Sequence, residues 1–329
     1  MRLRLRIAAA GLAAATMTGT AVLTTAVYAG PAQAAGPTFT TISKQPAADP
    51  GFAKFGSSYY VYATGGSDGI LPIFRGSSTT KAFSKVGNAY AKAPTGLVQL
   101  WAPHVVARDG KYFMFFTATT IASKPHCVYW AVSASPTGGF GSPHLLVCGN
   151  ATDTEAIDPT VYVTAKGVNY VVWKRGHYHP AFPEGTFQIQ ARKLTFTGAS
   201  VTFSGGSNPS ITLAEVANGT VMEAPSLIAH GGKVWLFVAR GRFDDNDYHT
   251  DVWVAPGFGT GFKFSNHLMA TGQGYGSGPG GAEVITDAGG VVRIAYHVWA
   301  QNKPTPSTPG TRIVRVATVT WPGGKPHVA

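Results

Sequence analysis

The stretch GKYFMFFTA, residues 110–118, is a glycine followed by an aromatic-rich, β-prone run, and the pattern returns along the chain. It stands as GSSYYVYAT from Gly56, GVNYVVWK from Gly167, GKVWLFVAR from Gly232 and GVVRIAYHV from Gly290, at successive spacings of 54, 57, 65 and 58 residues. A second short strand precedes each glycine: FAKF, HVVARD, TVYVTAK, SLIAHG and EVITDAG. Strand, tight glycine turn and aromatic strand make a hairpin, and enough chain follows each for one or two outer strands. Five such units at a near-even period match the blades of a β-propeller, four-stranded sheets standing around a central channel. A sandwich or jelly roll would show alternating strands without that period. The fold class expected is all-β, a five-bladed β-propeller in a single domain.

Proline recurs just ahead of each unit, in Asp49-Pro50, Trp101-Ala102-Pro103, Asp158-Pro159, Glu223-Ala224-Pro225 and Gly278-Pro279-Gly280-Gly281. Proline suits the start of a strand because it cannot donate to the ladder, but it does not explain the acids. Counted back from the hairpin glycine, Asp49 lies 7 residues before, Ala102 8, and Asp158, Glu223 and Gly281 9. The first strand of a propeller blade lines the axis, so these positions are expected to ring the mouth of the channel, three of the five carrying a carboxylate. Converging carboxylates repel one another and lose solvation, a cost that chemistry or a metal would explain. Asp and Glu together number only 15 in the chain, which makes the coincidence specific.

The chain has 329 residues and formal charge +11. Its first 35 residues carry Arg2, Arg4 and Arg6, then a run of small and apolar residues ending in Ala32-Gln33-Ala34, the pattern of a cleaved signal peptide. Residues 36–329 are then the mature domain, exported and still basic at +8 once those three arginines are gone. The positive charge is scattered, which argues against nucleic acid as a partner, and no later segment is apolar enough to span a bilayer. Such a chain would adhere to acidic polymers such as pectin-rich cell wall. Cys127 and Cys148, an even count in an exported protein, are expected to form a disulfide.

The motifs resemble glycoside hydrolase family 43, five-bladed propeller enzymes acting on arabinose- and xylose-containing plant polysaccharides. The stretches that carry the resemblance are ADPGF, LWAPHVVARDGKYFMFF, AIDPTVY, MEAPSL, GPGGAEV and AYHVW, with HCVYWAVSASPTGGF and the closing TRIVRVATVTWPGG, spanning Asp49 to Gly324 in family order. The resemblance implies a secreted, inverting hydrolase of α-L-arabinofuranosyl or β-xylosyl linkages in arabinan, arabinoxylan or xylan. Motif by motif it makes Asp49 the general base, Glu223 the general acid and Asp158 the carboxylate that orients Glu223 and raises its pKa. Inverting glycosidases use two carboxyls in this way, one protonating the leaving oxygen and one activating water on the opposite face.

Trp101 resembles an aromatic platform for a sugar face, with His177 and Arg240 as further candidates for substrate contact. His297, in YHVW, matches a histidine that in arabinan-cleaving relatives sits on the axis near a hydrated metal ion, often calcium. The chain departs from those relatives in reading GPGG where they read GPGH, Gly281 standing for the second histidine. No cofactor is required for the chemistry, an axial calcium being the one ion implied. The expected partner is a cell-wall polysaccharide or oligosaccharide, with no nucleic acid, no membrane and a monomeric chain. Two alternatives stand beside this reading. One is a lectin-like propeller that binds sugar without cleaving it. The other is a related five-bladed fructoside-active enzyme, whose nucleophile would sit in an Asn-Asp-Pro context where this chain has Ala48 before Asp49.

Overall fold

The computed structural model describes residues 37–65, 70–120, 125–149, 155–176, 186–204, 210–217, 220–259, 261–301 and 310–329. The signal-peptide segment and His177 lie outside these. Strand β1 (Phe39–Thr41) is followed by a first sheet of β2 (Ala48–Phe55), β3 (Ser58–Thr64), β4 (Pro72–Gly76) and β5 (Ser84–Asn88). The second is β6 (Leu97–Arg108), β7 (Lys111–Thr120), β8 (Cys127–Ser133) and β9 (His144–Cys148). The third is β10 (Ala156–Val163), β11 (Asn169–Arg175) and β12 (Phe187–Thr197), whose far edge is shared by β13 (Ser200–Phe203) and β14 (Ile211–Val216). The fourth is β15 (Met222–His230), β16 (Lys233–Arg240), β17 (His249–Ala255) and β18 (Lys263–Met269). The fifth is β19 (Ser277–Thr286), β20 (Val292–Trp299) and β21 (Arg312–Thr320), with the short β22 (His327–Val328) on β21. Its outer strand comes from early in the chain: β1 pairs antiparallel with β21, Phe39 opposite Ala317. Among the described residues there is no α-helix.

These five sheets are the blades of the expected propeller. The inner strands β2, β6, β10, β15 and β19 touch in succession, and β19 returns to β2, closing the ring. Each repeat glycine, Gly56, Gly110, Gly167, Gly232 and Gly290, turns its hairpin at positive φ, between 57° and 75°. That conformation costs glycine little and other residues more.

Packing accounts for the aromatic strands. Along β7, Phe113 and Phe115 face the third blade while Met114 and Phe116 face the first, all four fully buried. Successive side chains point to opposite faces, and a blade flanked on both sides must be apolar on both. Five apolar clusters result, one in each gap between neighbouring blades. In a core of this kind each ring such as Phe115 is worth about 3–5 kcal/mol against alanine.

The disulfide joins Cys127 and Cys148, direct cross-strand partners on β8 and β9. It closes a loop with a sequence separation of 21, which in the chain-entropy account stabilises by about 3 kcal/mol. Replacing both cysteines with alanine is therefore expected to lower the unfolding free energy in urea by about that amount. An unchanged midpoint would mean the bridge contributes nothing.

Candidate active site

Sequence counting sets the prolines ahead of the inner strands, whereas the structure has them inside. Each inner strand breaks its register at an equivalent place: between Ala48 and Gly51, Trp101 and His104, Ile157 and Thr160, Glu223 and Ser226, Gly280 and Glu283. At that bulge one residue turns to positive φ: Asp49 (47°), Ala102 (44°), Asp158 (55°), Ala224 (49°) and Gly281 (57°). In all but the last the next residue is proline, which brings no N–H of its own to leave unpaired. Bulges re-aim side chains beside functional sites, and non-glycine residues at positive φ are uncommon enough to mark one.

At four of the five bulges the freed N–H is taken by a side chain of the preceding blade. Ala102 N donates to Thr64 Oγ1 at 2.8 Å, Asp158 N to Thr117 Oγ1 at 3.0 Å, and Asp49 N to His297 Nδ1 at 3.0 Å. Thr64, Thr117 and His297 occupy one structural place, each paired with the residue just before a bulge. In the third blade that place holds Lys174, which has no acceptor to offer. There the carboxylate of Asp158 does the capping, Oδ2 accepting from Ala224 N at 2.9 Å.

The register corrects one expectation. Asp49 and Asp158 are equivalent, but the matching position in the fourth blade is Ala224, not Glu223. Glu223 precedes the bulge, as Trp101 does in the second blade, so counting from the hairpin glycine misplaces it by one residue. It reaches the same cavity nonetheless. This space, of about 570 Å³, is lined by Asp49, Asp158, Glu223, Trp101, Lys174 and Arg312 among others. Two residues beyond the bulges, where the inner strands converge, a second set of polar side chains meets. Ser226 Oγ donates to Glu283 Oε1 at 2.8 Å, and His104 Nδ1 lies 3.3 Å from Oε2.

The carboxyls are held in different states. Burial pushes Asp49 up, but Arg312, whose Nη1 donates to Oδ1 at 3.0 Å, and the hydroxyl of Thr64 leave its pKa lowered. Burial raises Glu223. Lys174 Nζ at 3.6 Å from Oε2 and the Tyr248 hydroxyl at 2.8 Å from Oε1 pull the other way without reversing the shift. Asp158 is raised well above the usual range by burial, then by the charges of Glu223 and Asp49. Glu223 and Asp158 titrate as a pair rather than separately. One carboxylate kept ionised, sharing a cavity with a pair that keeps a proton, is the electrostatic arrangement of a general base and a general acid.

Trp101 lines the cavity with its ring stacked on His126, centroids 4.3 Å apart. Arg240 is a correction. It pairs in register with His249 and feels the charge of Asp251, and the guanidiniums on the cavity wall are those of Arg242 and Arg312.

As placed, His297 turns no free lone pair toward a metal ion. Burial first, then Arg312, lowers its pKa to about 3, so the ring is neutral. Its Nδ1 accepts the Asp49 N–H. That leaves the ring proton on Nε2, which is buried without a protein partner among the described residues, and no free lone pair on either nitrogen. The ring caps the bulge that presents Asp49. The same pose accounts for Gly281, where an added Cβ would come within 2.6 Å of His297 Nδ1, so a second histidine has no room beside it.

Sequence reading misses Arg312, Lys174, Glu155 and Tyr248. Glu155 Oε2 lies 3.3 Å from Lys174 Nζ, and Oε1 lies 2.9 Å from His126 Nδ1. A lysine inside the apolar run NYVVWKR, 4% exposed in the fold, is the one signal that could have found this group. Tyr248 sits in RFDDNDYHTD, an acid-rich stretch that reads as a solvated loop.

A family model described as "Glycosyl hydrolases family 43" matches residues 40–326. An "Extracellular exo-alpha-(1->5)-L-arabinofuranosidase" of Streptomyces avermitilis is 26% identical over 221 residues, which span 64% of this chain and 44% of that protein. The match thus takes in less than half the length of the Streptomyces relative. A "Probable arabinan endo-1,5-alpha-L-arabinosidase C" of Aspergillus niger is 24% identical over 298 residues, 83% of this chain and 87% of that protein. The solved structure of a thermostable family-43 glycoside hydrolase superposes with a TM-score of 0.71 at 18% identity, covering 86% of this chain and 93% of that one.

Proposed function

This chain belongs to the glycosyl hydrolases family 43, and from that premise we propose that it is an exported, inverting hydrolase of α-L-arabinofuranosyl linkages in plant cell-wall polysaccharide. Asp49 is the general base, Glu223 the general acid and Asp158 the carboxylate that keeps the acid protonated. The observation that carries this reading is the opposite displacement of the acids in one cavity, Asp49 lowered and the Glu223–Asp158 pair raised. A lectin needs no such division. The Streptomyces and Aspergillus relatives, named for arabinan linkages, support the arabinofuranosyl choice over the xylosyl one, and the former's description as extracellular supports export.

In the proposed reaction Glu223 gives its proton to the glycosidic oxygen as the bond from the anomeric carbon to that oxygen breaks. Water attacks the same carbon from the opposite face, and Asp49 takes the proton that the water loses. Arg312 holds Asp49 ionised, and His297 holds its backbone in the bulge that aims it. Trp101 offers a ring face to a sugar, and Arg242 and Phe243 stand at the same cavity wall.

The test is hydrolysis of aryl α-L-arabinofuranosides, aryl xylosides and linear arabinan by the purified protein, with proton NMR of the first sugar released. The expected product is the β anomer from an α-arabinofuranoside. Release of the α anomer would overturn the base-and-water assignment, and no release from any of the three would overturn the activity.

Lys174 supplies a further check. Its ammonium holds the pKa of Glu223 below where burial alone would set it. The acid must be protonated to work, so its pKa sets the alkaline limb of the rate profile. Lys174→Met is expected to move that limb to higher pH, read from kcat/KM against pH. A limb that stays put or moves to lower pH would separate Lys174 from the acid.

A further inference from the structure

On the outer half of the fourth blade three ligand-type side chains meet that the proposed reaction does not use. His249 and Asp251 are two apart on β17, so strand alternation puts both on one face. The register sets Asp251 directly opposite His267 on β18. His267 Nδ1 lies 2.7 Å and His249 Nε2 3.6 Å from the same oxygen, Asp251 Oδ1. The three donor atoms all lie within 4.8 Å of one another. Four ligands at zinc-like bond lengths of about 2.0–2.1 Å stand roughly 3.3 Å apart in a tetrahedron, so one ion can be reached by all three with small side-chain adjustments.

Two further features point the same way. His249 Nδ1 lies 2.7 Å from the backbone carbonyl of Asp247. Donation there fixes the tautomer and turns the Nε2 lone pair toward Asp251, the support that metal-binding histidines usually receive from their surroundings. In the neutral ring that lone pair faces a carboxylate oxygen, acceptor against acceptor, an opposition that a shared cation relieves. Asp251 is only 4% exposed, whereas the His267 side chain is 66% exposed, so the cluster opens to solvent on one side and a water can complete the shell. Arg240 also acts on Asp251 and offsets part of its charge. Affinity then rests mainly on the two imidazoles, which select a zinc-type transition ion over the oxygen-seeking calcium.

We propose that His249, Asp251 and His267 form a zinc-type divalent metal site that ties β17 to the edge strand β18, apart from the cavity that holds the acids. The test uses the full purified protein, stripped with chelator and titrated with cobalt(II) and then zinc(II). Expected are one equivalent taken up, the visible absorption of four-coordinate cobalt, its displacement by zinc, and a melting temperature that rises with zinc. His249→Ala and His267→Ala should each weaken uptake by at least the 10- to 100-fold or so that losing a mere supporting partner costs. His267 is exposed, so its variant decides the matter even if the other folds poorly. No stoichiometric uptake by the parent protein, or uptake that survives His267→Ala unchanged, would overturn the site and leave the trio as a hydrogen-bonded cluster.

Discussion

Glu223→Ala is expected to split two substrate classes. Unactivated arabino-oligosaccharides, whose departing alkoxide needs a proton, should lose about 10² to 10⁴-fold more in kcat/KM than aryl arabinofuranosides with acidic leaving groups. The physical basis is that burial raises the pKa of Glu223 and so favours its protonated form. A phenol with a low pKa departs without that proton. Tyr248 and Lys174 would lose a partner in this variant, so its melting temperature should be measured beside its kinetics. Asp158→Asn refines the result. Mutual repulsion raises the pH at which the Glu223–Asp158 pair gives up its last proton. Asparagine keeps the shape but ends that repulsion, which lowers the pKa of the remaining acid and draws the alkaline limb toward acid pH. Equal losses on both substrate classes, with no movement of the limb, would mean the donor lies elsewhere.

Asp49→Asn is expected to depress both substrate classes together, by about 10² to 10⁴-fold, because water must be activated whatever group departs. Asparagine keeps the volume and an acceptor oxygen for Arg312, so the loss reports on basicity rather than on a collapsed site. A small anionic nucleophile such as azide needs no base. Added azide should therefore restore turnover in Asp49→Asn, giving a glycosyl azide of inverted configuration, and should not restore Glu223→Ala on unactivated substrates. A variant that keeps parent-level activity, or one that azide rescues with retained configuration, would remove Asp49 from the base role.

The fold was legible because it repeats. Gly56, Gly110, Gly167, Gly232 and Gly290 each turn a hairpin at positive φ, and the apolar runs after them fill the gaps between blades. Both are local properties of short stretches, visible without knowing what lies opposite. The closing strand β1 was not legible, since nothing in Phe39–Thr41 marks it as the partner of Arg315–Ala317. Its pairing is fixed by where the ring happens to close.

The acids divide in the same way. Asp49-Pro50 and Asp158-Pro159 announce themselves because a short acid tolerates the positive φ of the bulge and the proline after it leaves no N–H unpaired, so sequence alone determined that carboxylates would gather at the mouth of a five-bladed ring. Glu223 was found but given the wrong register, since a count from a glycine cannot see which residue takes positive φ. The charge states of those acids belong to the tertiary structure. Arg312 lies 263 residues from Asp49, His297 248 residues from it, and Lys174 reaches Glu223 across the gap between the third and fourth blades. A carboxyl's proton affinity depends on burial and on the charges within a few ångströms, and in a propeller those neighbours come from whichever blades the ring brings side by side.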